Sequence, residues 1–245
     1  MSDKRSIFEE VGSNTKTVAA VVGAISRGDD GDRNLTYIWL CCLIGLIVAM
    51  ITVGGLTRLT DSGLSITEWD PVMGAIPPLS TLAWNAAFDA YKVTAEYTFQ
   101  NLSMTLAEFK IIFWWEWAHR QLGRFIGIFW FFGFTILFLL GKLPKTRRWS
   151  LFIVGPFIGL QGLIGWLMVN SGLDGIRVDV ASYWLMAHLG AAFALLGYIF
   201  WYLQIIERSE SDLLQSRRVR EFKLFRMSTI LMYFIALQIL LGALV

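Results

Sequence analysis

Five long apolar runs dominate the sequence and restrict what it can fold into. Each run has about 20 residues, the length that a helix needs to cross the ~30 Å hydrocarbon layer of a membrane. Backbone groups in lipid must be hydrogen-bonded within their own segment, so helices are the expected spanning form. We therefore predict an all-α membrane protein, a four-helix transmembrane bundle followed by a fifth, truncated transmembrane helix. The predicted spans are 37–56, 122–141, 150–169, 184–206 and 228–245.

The composition agrees with a membrane protein and excludes a nucleic-acid binder. Apolar residues make up 56% of the chain, above the roughly 45–50% typical of soluble domains. The net charge is only +2, and the basic residues cluster between apolar runs instead of alternating with aromatic residues. Membrane lipid is therefore an expected partner and nucleic acid is not. The adjacent Cys41 and Cys42 form no CxxC pattern and indicate no disulfide or metal site.

The distribution of basic residues predicts an orientation in the membrane. The second and fourth connections are rich in Lys and Arg, whereas the first and third hold few. The positive-inside rule places the second and fourth connections, together with the N-terminus, in the cytoplasm. Residues 1–36 lack the apolar core of a secretory signal and contain several acidic residues, unlike a transit peptide. We expect a multi-pass protein of the bacterial plasma membrane, with the mitochondrial inner membrane as the alternative.

These patterns divide the chain into four parts. Residues 1–36 form a polar cytoplasmic tail, and 37–206 form the four-helix bundle with a long outer loop at 57–110. Residues 207–227 form a basic cytoplasmic connection, and 228–245 are interpreted as the first helix of a missing second bundle. The last run reaches Val245 without a flanking charge or interfacial aromatic residue that would anchor that end. Truncation is the preferred interpretation, and a natural end at the outer membrane interface is the alternative.

The two histidines of the chain occupy similar depths in the predicted bundle. At 1.5 Å per residue, His119 lies about 33 Å and His188 about 27 Å from the cytoplasmic ends of their helices. Ionisable residues inside a membrane are costly and therefore suggest a function. Two imidazoles on neighbouring helices can bind a heme iron from both sides. The alternative is that each ring is an interfacial group bonded to a carbonyl or hydroxyl, and zinc would need a third ligand.

Charged residues close to His119 add to this pattern. Glu116 and His119 are three residues apart and share one helix face, so the carboxylate could orient the imidazole or act as a base. Alternatively, Glu116 forms a simple ion pair with Arg120. Arg120 and Arg124 are candidate partners for heme propionates, because guanidinium matches carboxylate geometry. Arg58, at the outer end of the first span, is a third candidate, or a cation that reaches the interface from a helix end.

Several sequence blocks resemble the heme A synthase family. In order, they are GGLTRLTDSGLS at 54–65, MTLAEFK at 104–110, EWAHR at 116–120 with Gly123 and Arg124, QGLIGW at 161–166, and AHLG at 187–190. The match extends from about Tyr37 to the C-terminus. The first outer loop is long and lacks a cysteine pair, so the chain is more similar to the mitochondrial and proteobacterial branch.

The resemblance implies an enzyme that oxidises the C8 methyl group of heme O to the formyl group of heme A for cytochrome oxidase. Family members have two four-helix halves, and this chain corresponds to the N-terminal half. His119 and His188 would be axial ligands of the substrate heme, and Glu116 would be the catalytic carboxylate. Arg58, Arg120 or Arg124 would contact the propionates, and heme b would belong to the missing half.

The resemblance also points to heme O synthase, an electron donor and a second copy of the chain as partners. The alternative function is a b-type cytochrome subunit for electron transfer, in which the histidine pair holds a permanent heme. A transporter or an assembly protein without heme is a third class.

Overall fold

The computed structural model describes residues 30–70, 72–144, 147–175, 177–208, 210–219 and 221–244. This part of the chain is helical and contains no strand, as predicted. Of the expected tail 1–36, residues 1–29 lie outside the described residues and the rest begin the first helix. The helices are α1 (Asp30–Leu59), α2 (Thr81–Lys92), α3 (Ala95–Phe99), α4 (Leu106–Leu139), α5 (Arg148–Phe152), α6 (Val154–Gly172), α7 (Ser182–Glu207), α8 (Glu210–Arg218) and α9 (Phe222–Gly242).

Five helical segments are long and apolar enough to cross a membrane, which confirms the predicted all-α membrane architecture. They are Asn34–Leu59, Leu106–Leu139, Arg148–Gly172, Ser182–Glu207 and Phe222–Gly242. The first, third and fourth lie close to the predicted spans. The second and fifth begin earlier than predicted, because charged residues at their starts lower the local hydropathy without interrupting the helix.

The N-terminus of α4 shows why its start was missed. The backbone N–H of Glu108 donates to Thr105 Oγ1 (3.4 Å), and Glu108 Oε2 accepts from the backbone N–H of Thr105 (2.8 Å). This reciprocal pair is a capping box, which satisfies amide groups that a helix start leaves unbonded. The helix therefore begins at Leu106, before its apolar run, and carries Glu116 and His119 on one continuous backbone.

The segment expected as an outer loop is partly helical. Between α1 and α4 lie a 3-10 turn at Met73–Ala75 and the short helices α2 and α3. We call residues 60–105 the loop-side domain, and the end of the bundle that carries it the loop side. Its core is an aromatic cluster with the first turns of α4, in which Phe88 and Tyr91 have their ring centroids 5.0 and 5.3 Å from Phe109.

The bundle core lies among α1, α4, α6 and α7. Helix α1 packs on α4 and α7, α6 packs on both of these, and α9 packs on α7. Leu40, Leu43, Leu151 and Ile199 are completely buried at the centre. Two glycines permit close helix crossings, because a Cβ atom at Gly133 would overlap the Trp39 indole and one at Gly155 would overlap the Trp130 indole.

Candidate functional site

The structure brings the two histidines into one region of the bundle. His119 lies on α4 and His188 lies on α7, and the imidazoles are within electrostatic range of each other. A glycine of a neighbouring helix faces each ring. A Cβ atom at Gly54 of α1 would lie 3.0 Å from His119 Nε2, and one at Gly165 of α6 would lie 3.2 Å from His188 Cε1. Four helices therefore enclose the histidine pair.

The donor groups in this region fit a heme iron held from two sides. His188 Nδ1 is buried and has no hydrogen-bond partner among the described residues. Buried polar nitrogens are usually hydrogen-bonded, so an exception suggests a functional role. Two imidazoles are an established ligand type for iron, and a glycine instead of a larger side chain stands beside each of them. The described residues contain no group of three or more His, Cys, Asp and Glu that could hold a metal ion.

Glu116, the predicted catalytic carboxylate, is buried and accepts hydrogen bonds at both oxygens. Its Oε2 atom accepts from Ser65 Oγ (2.7 Å) and from the backbone N–H of Ile66 (2.8 Å). Its Oε1 atom accepts from Nε (3.0 Å) and Nη2 of Arg120. The ion pair considered as an alternative from the sequence is therefore present. It is part of a larger arrangement that joins α4 to the loop-side domain.

Arg120 extends this connection along the backbone of the loop-side domain. Its Nη2 atom donates to the carbonyl of Ile66 (2.9 Å), and Nη1 donates to that of Glu68 (3.4 Å). The guanidinium also lies 5.6 Å from the ring centroid of Trp69. We call residues 65–69 the tether segment, because Glu116 and Arg120 bind it to α4. Sequence reasoning missed Ser65 and Ile66, although both lie at or beside the end of the GGLTRLTDSGLS block.

The other two arginines occupy different positions. Arg124 Nη2 donates to the carbonyl of Asp70 (3.1 Å), so Arg124, like Arg120, joins α4 to the loop-side domain. Arg58 lies half-exposed on the loop side, where Nη1 contacts Asp61 (3.4 Å) and Asp179 (3.2 Å). Arg58 thereby joins the end of α1 to the connection between α6 and α7. The structure thus brings Arg120 and Arg124 together on α4, and gives Arg58 two carboxylate partners.

A cavity of about 140 Å³ lies between the tether segment and the loop-side end of α6. Its walls include Glu68, Trp69, Arg120, Trp166 and Asn170. The polar groups in these walls make the space suitable for water. Arg120 therefore borders a space that water can occupy on the loop side.

Sequence reasoning also missed a buried polar cluster in the loop-side domain. Tyr91 Oη donates to Glu96 Oε1 (3.0 Å), and Asn101 Nδ2 donates to Tyr91 Oη (2.8 Å). Burial raises the pKa of Glu96 to about 7, because the charged form loses its hydration. The cluster lies outside the membrane spans and ties α2 to α3. The spacing of Tyr91 and Glu96 in the sequence does not indicate that their side chains are hydrogen-bonded to each other.

Comparison with known proteins shows the family of the chain. Residues 37–245 match the family described as cytochrome oxidase assembly protein. The chain is 54% identical to the heme A synthase of Dinoroseobacter shibae, over 100% of this chain and 64% of that protein. It is 52% identical to the heme A synthase of Cereibacter sphaeroides strain ATCC 17029, over 99% of this chain and 62% of that protein. A third heme A synthase, from Roseobacter denitrificans, is 50% identical over 100% of this chain and 65% of its own length.

The chain thus spans less than two thirds of the length of these relatives. No solved structure matches it. The family match covers all five predicted spans, both histidines and the tether segment. On this match and these identities, the chain belongs to the cytochrome oxidase assembly protein family, within which it is similar to bacterial heme A synthases.

Proposed function

We propose that this chain is the part of a heme A synthase that binds heme O and oxidises its C8 methyl group to the formyl group of heme A. The observation that carries the proposal is the histidine pair of α4 and α7, enclosed by four helices and faced by Gly54 and Gly165. The similarity to proteins named heme A synthase supports the same reaction. In this proposal heme b is a cofactor of the second half of the family pattern, which does not include His119 and His188.

Each predicted site residue has a role in the proposal. His119 and His188 bind the iron, and the heme supplies the redox centre and the methyl group to be oxidised. Arg120 and Arg124, both on α4, neutralise the negative charges of the heme propionates, and Arg58 adds a positive charge from the loop side. Glu116 stands three residues before His119, where a carboxylate can accept a proton or stabilise positive charge developing at the methyl carbon. Conversion of the methyl group to a formyl group consumes one water molecule and releases four protons and four electrons, and an electron acceptor outside the chain takes up the electrons.

The same proposal includes a location and partners. We place the protein in the bacterial plasma membrane with a cytoplasmic N-terminus, because the basic connections lie opposite the loop-side domain. The bacterial origin of the relatives supports this location. Heme O synthase would deliver the substrate, and a second copy of the chain would form a homo-oligomer.

The proposal is tested by replacing Glu116 in a full-length parent enzyme. The Glu116→Gln and Glu116→Ala variants are expected to bind heme but to accumulate heme O or a hydroxylated intermediate. Extraction of the pigments and chromatography measure the products. Glu108→Gln is a matched control, since Glu108 lies on the same helix but caps its exposed start. It should produce heme A at the parent level.

Three results would contradict parts of the proposal. Normal heme A production by Glu116→Ala would remove the catalytic role of this carboxylate. A parent that shows reversible heme spectra but never converts heme O would favour a b-type cytochrome. The absence of a heme absorption band in heme-replete membranes would favour the class without heme.

A further inference from the structure

We infer that Gly54 and Gly165 are positioning residues that keep the space beside the two iron-binding imidazoles open for the tetrapyrrole ring. The inference rests on the proposed function, because it takes His119 and His188 as the ligands of a heme. It adds two residues to the site, from the two helices that carry neither histidine. Their role follows from what a side chain at each position would contact.

Gly54 lies inside α1, where glycine has no local conformational advantage. A glycine in a helix interior costs roughly 1 kcal/mol relative to alanine, so its presence needs another reason. A Cβ atom at this position would lie 3.0 Å from His119 Nε2 and 3.5 Å from Cδ2, and no atom outside this imidazole is as near. The next residue, Gly55, has nothing within 4 Å of the same virtual atom. Only the first glycine of the pair therefore faces the site.

Gly165 repeats this arrangement on α6. A Cβ atom there would lie 3.2 Å from His188 Cε1 and 3.8 Å from both ring nitrogens. Gly162 and Gly159, about one and two helical turns earlier, have nothing within 4 Å. Other tightly packed glycines of the described bundle face apolar side chains instead, tryptophan at Gly133 and Gly155 and leucine at Gly172 and Gly190. Each histidine is thus matched with one glycine on a neighbouring helix.

An added methyl group would disturb heme binding at either position, at Gly54 by approaching Nε2 of His119 and at Gly165 by pressing on Cε1 of His188 and turning its ring. The ring of a coordinated heme lies directly beyond the ligating nitrogen, so an atom 3.0 Å from His119 Nε2 stands in or next to its volume. The methyl group must displace the ring or turn the imidazole away. Both outcomes weaken axial coordination, because coordination depends on the direction of the nitrogen lone pair. Close approach of a ligand to the backbone is one of the reasons for which glycine is required.

The test is a hemin titration of the chain in detergent, followed by optical and electron paramagnetic resonance spectra. Gly54→Ala is compared with Gly55→Ala, and Gly165→Ala with Gly162→Ala. The parent and the two controls should form a six-coordinate, low-spin complex. Gly54→Ala and Gly165→Ala should bind hemin at least tenfold more weakly, or give a high-spin signal from loss of one ligand. A purely structural role for these glycines would leave the spin state unchanged.

The possible results separate this inference from the proposed function. If the parent forms no low-spin complex, or if His119→Ala and His188→Ala retain it, the ligand assignment itself fails. If the histidine variants lose the complex while Gly54→Ala and Gly165→Ala match their controls, only the inference fails. Should Gly54→Ala not fold, the double variant with His119→Ala is expected to restore folding. Misfolding that this second change does not relieve would contradict a contact with the imidazole.

Discussion

The buried carboxylate of Glu116 helps to join the membrane bundle to the loop-side domain. Glu116 accepts hydrogen bonds from Ser65, Ile66 and Arg120, although Ser65 is 51 positions away. Sequence reasoning predicted the pair with Arg120, because residues four apart meet on a helix. It could not predict Ser65 and Ile66, because their position depends on how the chain returns after α1. Breaking a buried ion pair of this kind costs on the order of 3–5 kcal/mol.

Glu96 makes the stability of the loop-side domain depend on pH. Its folded pKa is about 7 and its ordinary pKa is 4.5, so the folded state holds the proton more tightly. Stability is therefore highest below pH 4.5, falls as the pH rises through this window, and is constant above pH 7. Glu96→Gln removes the ionisation but keeps an acceptor for Tyr91. At pH 8 we expect the variant to be more stable than the parent, by up to about 3 kcal/mol.

Thermal unfolding in detergent at pH 5 and pH 8 measures this difference. The parent and Glu96→Gln should unfold at similar temperatures at pH 5, and the variant should unfold at the higher temperature at pH 8. Asp89→Asn changes an exposed carboxylate of α2 and should follow the parent at both values. If the unfolding temperatures of the parent and Glu96→Gln depended on pH to the same extent, the raised pKa of Glu96 would be contradicted.

At the scale of elements, the apolar runs predicted how many helices cross the membrane but not where α4 begins. Glu108, Lys110, Glu116 and Arg120 lower the hydropathy of its first four turns, so the apolar signal starts only at Leu122. The spacing of Thr105 and Glu108 was a visible capping signal, and the structure shows that the helix follows it. Helices α2 and α3 were not predicted for another reason. Their stretches are short, and they pack against this early part of α4, whose start was itself not predicted.

The close crossing of α1 and α4 requires a glycine at position 133. A Cβ atom at Gly133 would overlap the indole ring of Trp39, which is buried. Gly133→Ala should therefore destabilise the bundle by about 1–3 kcal/mol, as overpacked cores do. Gly127→Ala is the matched control on the same helix, since its nearest atom would be 3.9 Å away. Thermal unfolding should separate the two variants, and equal melting temperatures would contradict a tight crossing.

At the scale of the whole molecule, the two ends of the bundle differ in composition and in structure. The loop side carries α2, α3 and the tether segment, and the opposite end carries the short basic connection before α5 and helix α8, whose last turn is basic. The Arg58–Asp179 ion pair joins the connection after α1 to the one after α6 on the loop side. The positions of Lys and Arg in the sequence predicted which connections share the basic end of the bundle. The depths of the two histidines along their helices predicted that they lie nearer the other end.

The orientation can be measured with reporter fusions. Alkaline phosphatase fused after Asn101, in the loop-side domain, is expected to be active because it lies outside the cytoplasm. The same enzyme fused after Lys142, in the basic connection, is expected to be inactive. A green fluorescent reporter at the two positions should give the opposite pattern. Activity of the phosphatase at Lys142 rather than at Asn101 would reverse the proposed topology.

The unbroken length of α4 has a mechanical consequence. Its 34 residues correspond to a rod of about 51 Å, which is longer than the hydrocarbon layer is thick. His119 sits on this rod between the loop-side domain and the membrane interior, and the helix has no proline at which it could bend. Because the core of the loop-side domain packs on the first turns of α4, a displacement of that domain would tilt the helix together with His119. The first turns of this unbroken helix pack in the core of the loop-side domain, and its remaining turns pack in the membrane bundle.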